Sequence, residues 1–365
     1  MGEFKYIVRL RPVGSYFFGG EVTFGDGANQ NYLVCSRILP QASALLGLMR
    51  YVILEEHNLL EKDDPKVRES WPDLIGERAF SVEDPQDNYG VILSISPIFV
   101  EKRSDDANAE QEIFTPCPMD YGYDVELISE RKISYSKGHS KPQCKITKID
   151  CKTPTPFTFK DFHNHEYWIS SNKDSGLLKA SEIFQYDERV GITKNDGLAD
   201  DEKAFFKQTM IRMAEGYNFL FTLVTSKDIL VKFESGKEPV KYDRLSKIVY
   251  LGGNRSVFRM TIEPIGEVKD PVDVFKNKLQ KDDRVLFLSD AYIPAELRDK
   301  FDFIWGESID NRYVSDTHKW SKDNRSSLCH LLGRGSVVYH SNKNELKALR
   351  DGESKLKTVG LNIYV

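Results

Sequence analysis

Apolar and charged residues alternate from Phe4 to Arg11 (FKYIVRLR), which predicts a half-buried β-strand. The period then changes. From Ser43 to His57 the residues Leu45, Leu48, Met49, Val52 and Ile53 recur at helical spacing and predict an amphipathic helix. Tyr89 to Lys102 (YGVILSISPIFVEK) is β-branched, aromatic and mostly apolar, a core strand interrupted by Pro97. From Asp201 to Thr225 an alternating run through Phe206, Gln208, Met210 and Arg212 meets a turn at Glu215-Gly216. An apolar run follows, so this stretch predicts a hairpin-like pair of strands. KIVYLGGNRSVFRMTIEPI repeats that design around a Gly252–Arg255 turn. A short helix is predicted at Asp273–Leu279 and a strand in RVLFLSDAYI. Glycine loops enter β-type runs in LLGRGSVVYHS and GLNIYV. Strands mixed with helices in this order predict an α+β fold in two halves, residues 1–175 and 176–365.

Ser104 to Asp174 has no long periodicity. It holds a basic finger: from Glu130 to Lys152 seven lysines and arginines face two acids. The net charge of the chain is −5, so the finger at +5 leaves −10 for the remainder. Gly138 and Pro142 are turn formers, and Arg131 to Ile149 is expected to be an extended hairpin with its tip at SKGHSKPQ.

The hydrophobic fraction of 40% is that of a folded protein. No apolar run reaches the ~18 residues of a membrane span, and the charged N-terminal strand is not a signal peptide. Five cysteines without a C-x-x-C pair argue against a disulfide framework and a cysteine-based zinc site, and for the cytoplasm.

Reaction chemistry finds little support. His163 and His165 share a strand face beside Glu166, but nothing completes a metal site around them. There is no G-x-S-x-G elbow, and GRGS lacks the lysine of a phosphate loop. Five histidines, His57, His139, His318, His330 and His340, remain candidates for the acid/base of a metal-independent ribonuclease.

Glycine beside a basic residue does recur. It is found at ERVGITK (Glu188 to Lys194), GGNRS (Gly252 to Ser256) and GRGS (Gly333 to Ser336), while Arg37 stands just before the first helix. A helix start offers unpaired N–H groups and the positive end of its dipole, so an arginine in the preceding loop makes it suited to a phosphate. Each of these segments read singly is a turn; together they favour an extended anionic polymer. Tyr135, Phe157, Phe159, Tyr167 and Trp168 are available either for bases or for the core.

Four stretches in order carry a resemblance: YFFGGEVTFGDG through NYLVCSRILPQASALLGLMRYVI, DERVGITKNDGLADDEKAFFKQTMIRMAEGYNFLFTLV, VYLGGNRSVFRMTIE, and LLGRGSVVYHS. With these the chain resembles the RAMP superfamily, and within it the subunit that caps the 5′ handle of the guide crRNA in type III-B (Cmr-type) CRISPR effector complexes. The resemblance implies two ferredoxin-like (RRM-like) domains in tandem with a β-hairpin insertion. It also implies a subunit without catalytic role or cofactor. Its partners would be the crRNA 5′ handle, the large cyclase/polymerase-type subunit and the backbone RAMP subunit. Carried over by position, the RNA-binding residues it implies are Gly19, Gly20, Ser36, Arg37, Gln41, Ser43 and Arg50 at the first helix. Arg189, Gly191, Lys194 and Arg255 follow, then Gly333, Arg334 and Ser336 near the C-terminus, with His139 and Lys141 at the tip of the finger. The rival readings are an endoribonuclease that processes precursor crRNA and a protein-only assembly adaptor.

Overall fold

A computed structural model describes the chain apart from residues 1, 21–32, 61–64, 78, 104–110, 122, 130–131, 138–145, 148–165, 173–175, 193–204, 233–237, 239, 267, 299 and 314–325. The elements begin with β1 (Phe4–Pro12), β2 (Leu33–Cys35) and α1 (Ala42–Glu56), then the short helices α2 (Pro65–Glu69) and α3 (Trp71–Ile75). Strands β3 (Ile92–Ile95), β4 (Phe99–Lys102) and β5 (Glu112–Pro116) lead to β6 (Tyr123–Ser129), β7 (Lys132–Lys137) and β8 (Ile146–Thr147). Next come β9 (Tyr167–Ser170), β10 (Leu177–Lys179), α4 (Ala180–Ile183), β11 (Phe184–Ile192), β12 (Phe205–Met213) and β13 (Tyr217–Thr225). A small pair, β14 (Val231–Lys232) and β15 (Val240–Lys241), precedes β16 (Leu245–Tyr250), β17 (Val257–Pro264) and α5 (Pro271–Leu279). The last elements are β18 (Arg284–Leu286), α6 (Ala295–Arg298), β19 (Phe303–Trp305), β20 (Ser308–Asn311), β21 (Cys329–Leu332), β22 (Val337–Tyr339) and α7 (Lys343–Asp351).

The alternation in β1 places it at the centre of the architecture. Tyr6, Val8 and Leu10 enter one core and Ile7 enters another, so both faces of the strand are covered near its start. It pairs antiparallel on both sides, Val8 lying opposite Phe221 of β13 and Ile262 of β17. The resulting nine-stranded sheet runs β10-β9-β5-β4-β13-β1-β17-β16, with β3 also on β13. Its strands come from both sides of residue 175.

One face of this sheet is covered by α1, through Leu45, Leu46, Leu48, Met49, Val52 and Ile53. The helix closes where Asn58 takes a left-handed conformation and the Leu59 N–H reaches back to the Leu54 carbonyl at 2.8 Å. Lys247 of β16 is ion-paired with Glu55 at 2.5 Å and with Glu56, and so ties the end of α1 to the sheet edge. On the other face, Ile7, Phe99 and Leu220 meet Phe275 and Leu279 of α5 together with Leu286, Trp305 and Val337 of the β18-β22-β19 sheet. The far side of that small sheet, Val285, Ile304 and Val338, is closed by Leu346 of α7. The layers are therefore helix, large sheet, small sheet with α5, and helix, which is a mixed α/β fold built mostly of antiparallel sheets.

Pro97 divides the expected Tyr89–Lys102 strand into β3 and β4, as its missing N–H requires. The hairpin expected around Gly252–Arg255 is β16-β17. The finger is a β6-β7-β8 meander in which Ser134 lies opposite Thr147; its tip falls outside the described residues. The pair β12-β13 departs from the hairpin expectation. The chain turns at Ala214–Gly216 and changes sheets: β13 enters the centre of the large sheet, while β12 pairs with β11 and, in parallel, with β2. Nearly continuous burial suits β13 to a central strand, and the mixed polarity of β12 suits a partly open one.

A buried polar tie joins the two layers. Asp120 accepts from the Tyr339 hydroxyl at 2.7 Å and lies 2.7 Å from the Arg284 guanidinium, off the axis of a hydrogen bond. Both charged groups are about 3% exposed. Burial and the Asp120 charge push the Tyr339 phenol far above its ordinary range, so it stays a donor. Asp120→Ala leaves Arg284 buried and unpaired, and urea unfolding is expected to show a loss of about 3–5 kcal/mol.

Candidate nucleic-acid interface

Three chain-distant segments meet beside the start of α1. Residues Tyr16–Phe18 hydrogen-bond to Ile211 of β12 through the Tyr16 N–H, at 2.7 Å. The Phe18 carbonyl accepts from the Arg37 N–H at 2.9 Å, and the Phe17 carbonyl accepts from the Gly253 N–H at 2.8 Å. Ser256 completes the lock, its hydroxyl accepting from the Phe17 N–H at 2.9 Å. Gly252 is required here. Its φ is +88°, and a Cβ on it would lie 2.4 Å from the Phe17 carbonyl oxygen.

Between these segments lies a cleft of about 400 Å³. Gly19, Gly20, Gln41, Ser43, Arg50 and Gly252 line it, and Phe18, Phe80 and Tyr313 supply aromatic walls. Among the described residues, Arg312 and Arg50 are the charged members of the lining and no carboxylate belongs to it. Gln41 is the N-cap of α1 in an extended conformation, makes no side-chain cap bond, and is followed by a first turn without an acidic residue. The N–H groups and dipole of this helix start are thus left for something other than the chain's own carboxylates.

Each arginine is held. Arg37 is half-buried, packs over Gly20, and donates from Nη2 to the Asp310 carbonyl at 2.5 Å. Arg50 stacks over the Tyr89 ring with its guanidinium carbon 4.9 Å from the centroid. Burial lowers the Arg50 pKa from its ordinary value, and the Tyr89 ring opposes that shift. Tyr313 is oriented by Phe80, whose ring lies edge-on at 5.0 Å, and its hydroxyl accepts from the Val82 N–H at 3.2 Å.

The expected residues divide by location. Gly19, Gly20, Gln41, Ser43 and Arg50 are brought together at the cleft, with Arg37 against it. Ser36 is buried, and its hydroxyl is used within the chain, accepting from the Phe18 N–H at 2.8 Å. Arg189 and Gly191 lie on β11; Arg189 is exposed, 3.4 Å from Asp187, and its strand position is opposite Gln208. Gln208 accepts from the Asn254 amide at 2.7 Å, so this strand reaches the β16-β17 turn that carries the exposed Arg255. Asn254 and Arg255 are both left-handed there, at φ 54° and 49°. His139, Lys141 and Lys194 lie outside the described residues, as do His163 and His165.

Gly333, Arg334 and Ser336 are not at the surface, which corrects the expectation for them. Arg334 is 8% exposed and donates from Nη1 to the Ile98 carbonyl at 2.6 Å, joining β22's loop to the large sheet. Ser336 is fully buried against Gly306, and a Cβ on Gly333 would meet Ile309. The small residues serve close packing rather than phosphate approach. The sequence reading missed Phe80, Arg312 and Tyr313, which have no local pattern to mark them.

Among the histidines, His57 faces the Ile53 carbonyl at 2.8 Å and His340 sits 3.3 Å from Asp302. The exposed side chains of His330 and Asp310 pair at 2.7 Å across the β20-β21 ribbon. None of the three lines the cleft. Among the described residues no cluster of three metal-ligating side chains occurs, and no helix is long and apolar enough to cross a membrane.

Residues 8–351 match the model of the Cas_Cmr3 family of CRISPR-associated proteins. The chain therefore belongs to that family, and it is a Cmr-type CRISPR subunit, as the four motifs implied. Two solved structures with similar chains are described as the type III-B Cmr-beta complex bound to cognate target RNA, one of them also with AMPPnP. The first is 12% identical with a TM-score of 0.47, covering 98% of this chain and 94% of the other. The second is 15% identical at the same TM-score, covering 99% and 96%. No curated protein matches in a sequence search.

The cleft depends on the Gly252 contact. Gly252→Ala is expected to lower the thermal midpoint more than Gly216→Ala. Both glycines have positive φ, so alanine at either position carries a backbone cost of about 1–3 kcal/mol, but Gly216 has nothing within 4 Å of an added Cβ. Equal midpoints for the two variants would mean that the Phe17 contact is not tight.

Proposed function

We propose that this chain is a non-catalytic RNA-binding subunit of a type III-B effector complex, and that it holds the 5′ handle of the guide crRNA in the cleft at the start of α1. The observation that carries the reading is the lining itself: an uncapped helix N-terminus beside Arg37, Arg50 and Arg312, with aromatic walls and, among the described residues, no carboxylate. A single-stranded RNA needs phosphate contacts together with flat surfaces for unstacked bases. Phosphates fit the helix end and the arginines; a base fits against Phe80 and Tyr313.

The same reading takes the chain as two ferredoxin-like halves, residues 1–175 and 176–365. It takes the β6-β7-β8 meander as the hairpin that reaches along the guide. It also assigns the chain a place at the end of the backbone RAMP filament, docked to the large cyclase/polymerase-type subunit. Arg189 and Arg255 belong to the RNA-binding set by their exposure; Arg334 and Ser336 are left out of it because they are buried.

Ribonuclease footprinting of the guide in the assembled complex tests this. The handle is expected to be protected with the wild-type chain and cut freely with Arg37→Ala/Arg312→Ala, while the rest of the guide stays protected by the backbone subunits. Unchanged protection at the handle contradicts the assignment. Incubation of the purified chain with repeat RNA is expected to leave the RNA whole. Cleavage abolished by His330→Ala would replace the binding role with a nuclease.

A further inference from the structure

The second face of the large sheet is only half covered. α5 and the small sheet cover Ile7, Phe99 and Leu220, but the later part of β1 and the parts of β16 and β17 beside it lie open. A cleft of about 520 Å³ occupies this open half. Six cationic side chains line it against two carboxylates, in a chain whose net charge is −5. Both carboxylates are already engaged at its inner end: Arg9 pairs with Glu101 at 2.7 Å and with Glu263. Glu101 also accepts from the Gln111 amide at 2.5 Å.

Among the described residues the outer arginines have no such partner. Arg11 of β1 and Arg259 of β17 lie directly opposite each other in the register, and both are exposed. Like charges at facing positions are destabilising in an antiparallel pair. Arg244, just before β16, adds a third exposed guanidinium to the same cleft. Among the described residues no carboxylate lies within ion-pair distance of any of the three. On the same face of β16, Ile248 is 51% and Tyr250 63% exposed. An arginine pair without a carboxylate among the described residues, with an open aromatic ring two residues along the same sheet face, is the chemistry that takes a phosphate and a stacked base. An acidic protein surface would use the guanidinium groups and leave the ring idle.

Position supports the same ligand. Tyr250 ends β16 on this face, and two residues later Gly252 lines the cleft at the start of α1. The exposed Arg255 stands in the turn between Gly252 and β17, which carries Arg259. Basic groups therefore continue from one face of the sheet, around the β16-β17 turn, to the other. We infer that single-stranded RNA is bound at a second surface of this chain, the open half of the sheet, with phosphates on Arg11, Arg259 and Arg244 and a base on Tyr250. The inference extends the handle-binding reading, since it makes the β16-β17 turn the point around which one strand passes between two surfaces.

Binding of single-stranded oligouridylate to the full chain, measured by fluorescence anisotropy over a salt series, separates the two surfaces. Each phosphate contact to single-stranded nucleic acid contributes about 0.7 to the slope of log K against log salt. Arg11→Ala/Arg259→Ala is expected to reduce the slope by about 1.4, and Arg11→Lys/Arg259→Lys to restore it. Tyr250→Ala is expected to weaken binding about tenfold with the slope unchanged. Arg37→Ala/Arg312→Ala in the same assay reports on the first cleft independently. If only the Arg37/Arg312 variant loses slope, the second surface is refuted and the handle reading stands. If only the Arg11/Arg259 variant does, the second surface stands and the handle reading fails. If neither does, both fail and the basic face belongs to an acidic protein partner.

Discussion

The close approach of the Phe17 backbone to Gly252 is the contact on which the arrangement of this molecule turns. A carbonyl packed where a side chain would otherwise stand holds the segment that follows β1 against the β16-β17 turn. Because β1 is paired on both sides within the large sheet, its end cannot move independently of the core. The next residues, Phe18 to Gly20, are then fixed beside Arg37 and the first turn of α1. One backbone contact thus sets the position of a strand end and a helix start against a hairpin turn that lies more than two hundred residues further along the chain.

The electrostatics follow from this placement. In a chain with five more acids than bases, the acids are mostly elsewhere or committed: Glu55 and Glu56 to Lys247, and Glu101 and Glu263 to Arg9. The helix start keeps its dipole because its first turn holds no acid, and among the described residues no free acid faces the arginines on the open half of the sheet. Partly screened cationic surfaces of this kind are of little use to folding. They gain stability when an anion arrives, which ties them to a ligand rather than to the core.

Much of this was legible from residue order. The helical spacing of Leu45 to Ile53 located α1 within one residue at each end, and the two-residue period of Phe4 to Arg11 identified the central strand. The cleft could be read in part, because Arg37, Pro40, Gln41 and Ser43 are consecutive enough to signal a helix start. Phe80, Arg312 and Tyr313 could not, since they arrive from two other places and nothing local distinguishes them from ordinary loop residues. Alternation also failed to say which sheet a strand joins: β12 and β13 look like a hairpin, yet the long-range pairing of β13 with β1 overrides the turn. Glycine next to arginine proved ambiguous for a physical reason. At Gly252–Arg255 it permits a left-handed turn at the surface, whereas at Gly333–Ser336 it permits dense packing in the interior.

Photo-cross-linking of the assembled complex, with a thiouridine placed in the 5′ handle of the guide and the attachment sites mapped by mass spectrometry, tests the central claim most directly. Attachment within the peptides that carry Phe80 and Tyr313 is the result this structure predicts. Attachment confined to other subunits, with none at the start of α1 or its aromatic walls, would contradict it.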